Sequence, residues 1–530
     1  MKKTDITGIN DKPKVHESVA IKGAFSLTLS TLIIKILGLI YKLPLSNILG
    51  DEGMGYFNSA YTAFSFFYII CTAGVPKAVM ILLSKENNEE RTNKIVKLLL
   101  STFLIFGIII TGFFACISPT LARAIGSSKS ALTMVAIAPS IVFISISGVL
   151  RGLLSAKMNF LDIAISQILE GVGKLVFGLL FAVVGRGRNL PLELTSALTI
   201  LGVTIGSIFG LLHLISSSKP SLLAVKSEQK IKINKIDVIK ELLRISVPIT
   251  LSAAIMSITN IIDLSTIMSS LRAIGYTESE AAAYFGNYST LSVPMFNMAM
   301  ALITPISVAF MPLLTKANCN KNNNEIRNAT KEAIRLTAFV SAPITLGLML
   351  FSKEILTVLF KNSDTELGSM LLVLLAPSII FSSMLVVTNS ALEALGYFKV
   401  PIISMLVGGI WKLVVSYLLI RNPNFGISGA PIGTVISYAT ALLVSLMLFH
   451  KKTYAGIPVL STLFRPYFCA IFSVTFAKYI HSTIVRNNHP ILALMISITI
   501  SAITYFLLTF VIAKITQNDT KRLAFSTNYL

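Results

Sequence analysis

The chain has little charge and few residues of the kind that build metal or disulfide sites. Only 13% of its 530 residues are charged, whereas 54% are hydrophobic. Its four cysteines and five histidines are scattered singly, so neither a disulfide framework nor a metal site is expected. A composition this apolar lies outside the range of soluble domains, and it predicts a polytopic membrane protein.

Long polar segments are scarce as well. The connections between the apolar stretches are short and leave no room for a soluble catalytic domain. No nucleophile, base and orienting residue can be assembled from the dispersed histidines, so an enzyme is not expected and no cofactor is needed. A membrane enzyme acting on lipid-linked sugars remains the weaker alternative.

Apolar stretches long enough to cross a bilayer make up most of the chain. A spanning helix needs roughly 20 mostly apolar residues, and fourteen stretches meet this requirement. They predict an all-α fold with spans at approximately 20–46, 56–83, 96–119, 131–155, 160–185, 192–216, 240–270, 282–314, 331–351, 367–395, 400–421, 427–450, 459–484 and 489–515.

The basic residues indicate orientation and partners. Most of the 45 lysines and arginines fall on the side of the N-terminus, which predicts that both termini are cytoplasmic. The net charge of +21 then lies mostly on the cytoplasmic surface, where it attracts anionic lipids. Nucleic acid is not an expected partner, because the basic residues lie in short loops without interleaved aromatics.

An internal repeat with an offset of 238 residues divides the chain. Ala-Pro-Ser-Ile at 138–141 recurs at 376–379, and Gly-Val-Gly-Lys-Leu-Val at 171–176 recurs as Gly-Ile-Trp-Lys-Leu-Val at 409–414. Two six-helix lobes, related by a pseudo-two-fold axis along the membrane normal and followed by two C-terminal helices, are predicted. The predicted domains are an N-terminal segment, the first lobe, a basic cytoplasmic linker, the second lobe, and the C-terminal helices with a cytoplasmic tail, at 1–19, 20–216, 217–239, 240–450 and 451–530.

Three lysines within the first two spans are candidates for binding an anionic substrate. Lys35 and Lys42 are seven residues apart, so they share one face of the first helix at a spacing of about 10 Å. Lys77 follows a proline in the second span. A charge at bilayer depth usually faces a partner or a watery cavity, and snorkelling to the interface is the alternative for each lysine.

Other intramembrane charges suggest ion pairs. Glu170 lies one turn before Lys174, and this spacing predicts a structural pair within one helix. Lys412 is the repeat equivalent of Lys174, with Glu393 on the preceding span as its suggested partner. Asp263 in the seventh span is a candidate for gating or ion coupling, through a pair with a lysine of the first helix. A static pair, or a position near the interface, is the alternative for this acid.

Prolines mark helix breaks at equivalent positions of the two lobes. Pro76 lies in the second span, and Pro294 and Pro305 lie in the eighth. Proline frees a carbonyl one turn back, which membrane helices tolerate where protein or a water-filled cavity satisfies it. Breaks of this kind favour alternating access between two lobes, and a packing kink is the alternative.

Several short motifs resemble a known superfamily. They are Lys35-Ile-Leu-Gly followed by Ile48-Leu-Gly, then Ala73-Gly-Val-Pro, and Pro312-Leu-Leu-Thr-Lys at the end of the eighth span. The whole chain resembles the multidrug/oligosaccharidyl-lipid/polysaccharide flippases, in their sporulation and polysaccharide-biosynthesis branch, with the lipid II flippases more distant. The resemblance implies a 14-helix flippase of the bacterial cytoplasmic membrane, working beside cell-wall synthesis proteins. Its substrate is then a polyprenyl-pyrophosphate-linked saccharide.

The resemblance also implies a cationic cavity, with differences from the lipid II flippases. Lys35 falls at the arginine of their Arg-x-Leu-Gly motif, whereas their second arginine falls on Tyr41 and the charge moves to Lys42, about 100° around the helix. Their eighth span opens with Tyr-Ala-Asp-Arg-Leu, but residues 284–289 here carry no arginine. A cation-coupled multidrug antiporter of the same superfamily is the main alternative. Membrane potential, protons or sodium would supply the driving force.

Overall fold

The computed structural model describes residues 12–86, 88–223, 234–319, 323–397, 399–453, 459–484 and 490–526. Every regular element within these ranges is helical, which confirms the predicted all-α class for the described residues. The chain divides into two compact units, Met1–Ser265 and Thr266–Leu530.

Among the described residues, the first unit contains seven α-helices and most of an eighth. They are α1 (Lys12–Thr72), α2 (Val75–Ser84), α3 (Glu89–Ile125), α4 (Ala131–Ile137), α5 (Ser140–Ala156), α6 (Phe160–Gly187), α7 (Leu192–Leu223) and α8 (Lys235–Ala273). The division between units falls inside α8, whereas the sequence predicts a boundary in the linker at 217–239, of which residues 224–233 lie outside the described part. The start of α8 belongs with the first unit because Val238 and Leu242 are buried in a core cluster with α2, α3 and α5.

The second unit contains the remaining helices. They are α9 (Glu278–Asn287), α10 (Val293–Cys319), α11 (Asn323–Leu350), α12 (Ser352–Leu359), α13 (Thr365–Leu375), α14 (Pro377–Ala394), α15 (Lys399–Ile420), α16 (Gly429–Thr453), α17 (Val459–Ile484) and α18 (Pro490–Ser526). Its core includes a cluster of α11, α14 and α16 side chains around Ala338, Met384 and Ala441.

Within the described part of each unit there is one bent helix pair, and it lies at the repeated sequence. The axes of Ser128–Ile137 and α5 differ by 43°, and those of α13 and α14 by 42°. Pro139 lies at the first bend and Pro377 at the second, 238 residues later. Proline lacks the N–H that would continue the helical hydrogen bonds, so the repeated Ala-Pro motif produces the same bend in both units.

Helix α1 consists of two helical segments joined at Gly50. The glycine has φ 67° and ψ −178°, a conformation in the left-handed half of φ/ψ space that residues with a Cβ rarely adopt. Gly50 therefore divides the predicted spans at 20–46 and 56–83.

The described residues contain nine helices that are long and apolar enough to cross a membrane, or up to eleven if each bent pair is one span. The segment Ile36–Ser84 counts as one of the nine but covers two predicted spans. The polytopic architecture is thus confirmed, and the count of fourteen stays a prediction.

Candidate functional site

Glycines bring the middle of α6 into backbone contact with its neighbours. A Cβ on Gly178 would lie 2.5 Å from the Tyr41 hydroxyl oxygen, and a Cβ on Gly206 would lie 2.4 Å from the backbone oxygen of Glu170. Any larger residue at these positions forces the helices apart, because small residues are what let membrane helices approach closely. This packing holds α6, with Glu170 and Lys174 at its middle, between α1 and α7.

The ammonium group of Lys174 lies over two tyrosine rings of α1. Its Nζ is 4.3 Å from the ring centroid of Tyr61 and 5.3 Å from that of Tyr41. The two tyrosines lie on opposite sides of Gly50 in sequence, so the change of direction there brings both rings to the same level of α6. Tyr61 is 38% exposed, which places this group at a surface of the first unit.

The two rings offset only part of the cost of the Lys174 charge. A cation–π contact contributes about 0.5–1 kcal/mol at an exposed site, whereas a lysine at the bilayer centre costs about 2.5–3.5 kcal/mol on insertion scales. Among the side chains that the structure describes, no carboxylate forms an ion pair with Lys174. The site therefore has positive charge available for an anionic ligand.

Glu170 pairs with Arg151 on α5, and the predicted pair with Lys174 is wrong. Arg151 Nη2 lies 2.9 Å from Glu170 Oε2, with side chains 8% and 22% exposed. Arg151 lies within the predicted span at 131–155, and the structure buries it in α5. A planar guanidinium can bind both oxygens of a carboxylate, whereas a lysine ammonium is a point charge. Arg151 is therefore a better partner for Glu170 than Lys174 on the same helix.

The structure places Lys42, one of the three predicted cavity lysines, near Lys174. Lys42 is half-buried beside Tyr41, close enough to Lys174 for the two charges to repel each other. Lys35 lies in α1 two turns earlier, and its side chain lies outside the described residues. Lys77 is exposed in the first turn of α2, beyond the break after α1, and is not part of this group.

The predicted pair between Glu393 and Lys412 is wrong. Glu393 lies at the end of α14, next to the start of α15, since the Tyr397 N–H donates to Leu392 O and the Val400 N–H donates to Tyr397 O. Lys412 lies 13 residues into α15, about 20 Å further along that helix. Both side chains together cannot cover this distance.

Asp263 lies in α8 and is half-buried. Its pairing with a lysine of the first helix, and its role in gating or coupling, stay predictions.

The prolines occupy three different local structures. Pro76 lies in the first turn of α2, directly after the break between α1 and α2. Gly74, in that break, lies so close to α8 that a Cβ on it would be 2.3 Å from Ser246 O. Pro294 follows a π-helical segment, Tyr288–Ser292. The predicted break at Pro305 is wrong, since α10 continues through it.

Hydroxyl groups near Pro305 bond other carbonyls than the one that the proline frees. The Thr304 hydroxyl donates to Met300 O at 2.7 Å, and the Ser307 hydroxyl donates to Thr304 O at 2.8 Å. The carbonyl that loses its helical partner at Pro305 is that of Ala301, so these two bonds do not replace the missing one.

The bent repeat and the long apolar helices of the described residues define a polytopic membrane protein. The family profile described as "Lipid II flippase MurJ" matches residues 45–511. The chain belongs to this family, within the multidrug/oligosaccharidyl-lipid/polysaccharide superfamily.

Similar proteins support this assignment. The chain is 22% identical over 473 residues to stage V sporulation protein B of Bacillus subtilis, covering 88% of this chain and 89% of that protein. Among solved structures, lipid II flippase MurJ in an inward closed conformation is similar with a TM-score of 0.67 and 14% identity, over 92% of this chain and 98% of that one. An inward-facing multidrug resistance MATE transporter is similar with a TM-score of 0.66 and 15% identity, over 81% and 98%. At these identities, the two structures support the fold alone.

Proposed function

We propose that this protein moves a polyprenyl-pyrophosphate-linked saccharide, such as a peptidoglycan precursor, from the cytoplasmic to the outer leaflet by alternating access. Family membership supports a flippase of lipid-linked precursors, and the similarity to stage V sporulation protein B fits the sporulation branch of the superfamily. The observation that carries the proposal is the surplus of positive charge on α1 and α6, where Lys174 has aromatic rings as neighbours.

The chemistry of a pyrophosphate matches this surplus. An anion within the membrane needs positive charge and hydrogen-bond donors in a low-dielectric cavity. Lys35 and Lys42 on α1 are the proposed ligands, and Lys77 would meet the substrate near the start of α2. Lysine presents a point charge with rotatable donors, which suits a ligand that binds and then leaves.

The same proposal includes the cellular location of the protein and the driving force for transport. We place the protein in the bacterial cytoplasmic membrane with both termini cytoplasmic, beside anionic lipids and cell-wall synthesis proteins. Membrane potential, a proton or sodium would drive transport, with Asp263 as the gating or coupling acid.

The sign of the charges distinguishes this function from cation export. A drug antiporter that binds cations needs acidic groups, whereas Glu170 here is paired with Arg151 and Lys42 lies near Lys174. The similarity to a MATE transporter is a similarity of fold and does not alter this argument.

Reconstitution into liposomes tests the function. Lipid-linked saccharides labelled on the inner leaflet should become accessible outside within minutes in the presence of the protein, and remain protected in empty vesicles. A cationic dye should not be exported. Dye export that depends on sodium or protons, without movement of the lipid-linked saccharide, would replace the proposal with the antiporter alternative.

A further inference from the structure

Lys174 stands out among the charged groups of the first unit because its neighbours are aromatic. Two other buried or half-buried charges on adjacent helices, Arg151 and Glu170, neutralise each other at 2.9 Å. The Lys174 ammonium group instead lies 4.3 Å and 5.3 Å from two ring centroids. Aromatic faces attract a cation but do not neutralise it, so its full charge is still available to an anion.

The surroundings allow a ligand to approach this ammonium. Tyr61 is 38% exposed, so one side of the group lies at a surface of the unit, while Tyr41 is 3% exposed and closes the other side. The close contact of Gly178 with Tyr41 fixes this inner ring relative to α6. The ammonium therefore has a fixed position and an open side.

We propose that Lys174 is a substrate-binding residue, which Tyr41 and Tyr61 hold in place for the diphosphate group of the lipid-linked substrate. The assignment rests on the proposed flippase function. It adds one substrate-binding residue on α6 to the two proposed on α1. The tyrosines position the lysine, and the diphosphate oxygens accept hydrogen bonds from its Nζ. The Arg151–Glu170 pair then serves to keep the neighbouring acid away from the ligand site.

Binding of farnesyl diphosphate to the full-length protein in detergent tests the assignment, with farnesol as the uncharged probe. Lys174→Gln should weaken diphosphate binding roughly tenfold or more, since it removes a charged hydrogen bond, and should leave farnesol binding unchanged. Lys174→Arg should stay within about threefold of the native affinity, because it keeps the charge. Unchanged diphosphate binding by the glutamine variant would overturn the proposal.

Lys129 provides a matched control. It also lies over a tyrosine, with its Nζ 5.9 Å from the ring centroid of Tyr56, but it has a carboxylate partner in Glu193 at 3.0 Å. Lys129→Gln should leave diphosphate affinity unchanged. An equal loss from Lys129→Gln and Lys174→Gln would show a general effect of charge and would contradict a specific site at Lys174.

Chemical footprinting keeps the test independent of how the variants fold. An amine-acylating reagent is applied to the native protein with and without farnesyl diphosphate, and modified lysines are identified by mass spectrometry. Diphosphate should protect Lys174 but not Lys129, and equal modification of Lys174 in both samples would overturn the proposal. If the native protein binds no diphosphate lipid at all, the proposed function fails, whereas native binding without any contribution from Lys174 overturns this inference alone.

Discussion

Single residues show where sequence reasoning succeeds and where it needs the neighbouring helix. The charge at Lys174 and the acid at Glu170 are both evident from the sequence, but their partners are not. Spacing within one helix predicts contacts between residues one turn apart. In the structure, however, Glu170 pairs with Arg151 on α5, and Lys174 contacts the rings of Tyr41 and Tyr61. Which helix faces which is set by tertiary packing, and a periodic pattern does not contain that information.

The Arg151–Glu170 pair should be strongly coupled in stability. Glu170→Gln leaves a buried guanidinium without its counter-charge, which costs about 3–5 kcal/mol, and Arg151→Gln should cost a similar amount. The double variant should be clearly less destabilised than the sum of the two single variants. Thermal unfolding in detergent, followed by the reaction of the buried Cys71 with a thiol dye in a Cys116→Ser, Cys319→Ser, Cys469→Ala background, measures these changes.

A partly exposed pair in the same unit serves as the control. Lys129 and Glu193 are 41% and 39% exposed, so Glu193→Gln should cost less than about 1 kcal/mol. Additive losses at Arg151 and Glu170, or an equal loss at Glu193, would contradict the structural role assigned to the buried pair.

The helices were predictable from the apolar runs, whereas only some of their bends were predictable. The repeated Ala-Pro motif at Pro139 and Pro377 marks a bend in both units, as an internal repeat should. Pro305 shows the limit of this reasoning, because α10 continues through it although the proline removes one helical hydrogen bond. The sequence identifies where a helix loses a hydrogen bond, whereas the surrounding groups determine whether it ends there.

The contact between α6 and α7 should depend on glycine. In Gly206→Ala the new Cβ would lie 2.4 Å from Glu170 O and 2.8 Å from Lys174 N, so the helices must separate. We expect a loss of about 1–3 kcal/mol in unfolding free energy, together with weaker diphosphate binding because Lys174 moves. The same thiol-reaction assay measures the stability.

Gly112 in α3 is the matched position, since a Cβ there meets no atom within 4 Å. Gly112→Ala should leave stability unchanged or raise it slightly, because alanine favours a helix over glycine. If Gly206→Ala is equally harmless, the close packing of α6 on α7 is not what positions the site.

At the scale of the whole molecule, composition and the 238-residue repeat were sufficient for the class of protein, and the resemblance of short motifs gave its superfamily. The division into two compact units inside α8 was not predictable, because it depends on the packing of Val238 and Leu242 on helices far away in sequence. The orientation with both termini in the cytoplasm, the count of fourteen spans and the cationic mechanism stay predictions. Of these, the mechanism determines what the protein does.

Lipid-linked precursor movement by Lys35 variants in proteoliposomes tests the cationic mechanism most directly. Binding and leaflet accessibility are measured for the native protein, Lys35→Ala and Lys35→Arg at equal reconstituted amounts. The alanine variant should lose binding and flipping by roughly tenfold or more, since one charged hydrogen bond to the diphosphate disappears, and the arginine variant should retain most of both. Binding and flipping that are unchanged in Lys35→Ala would contradict a cationic cavity on α1.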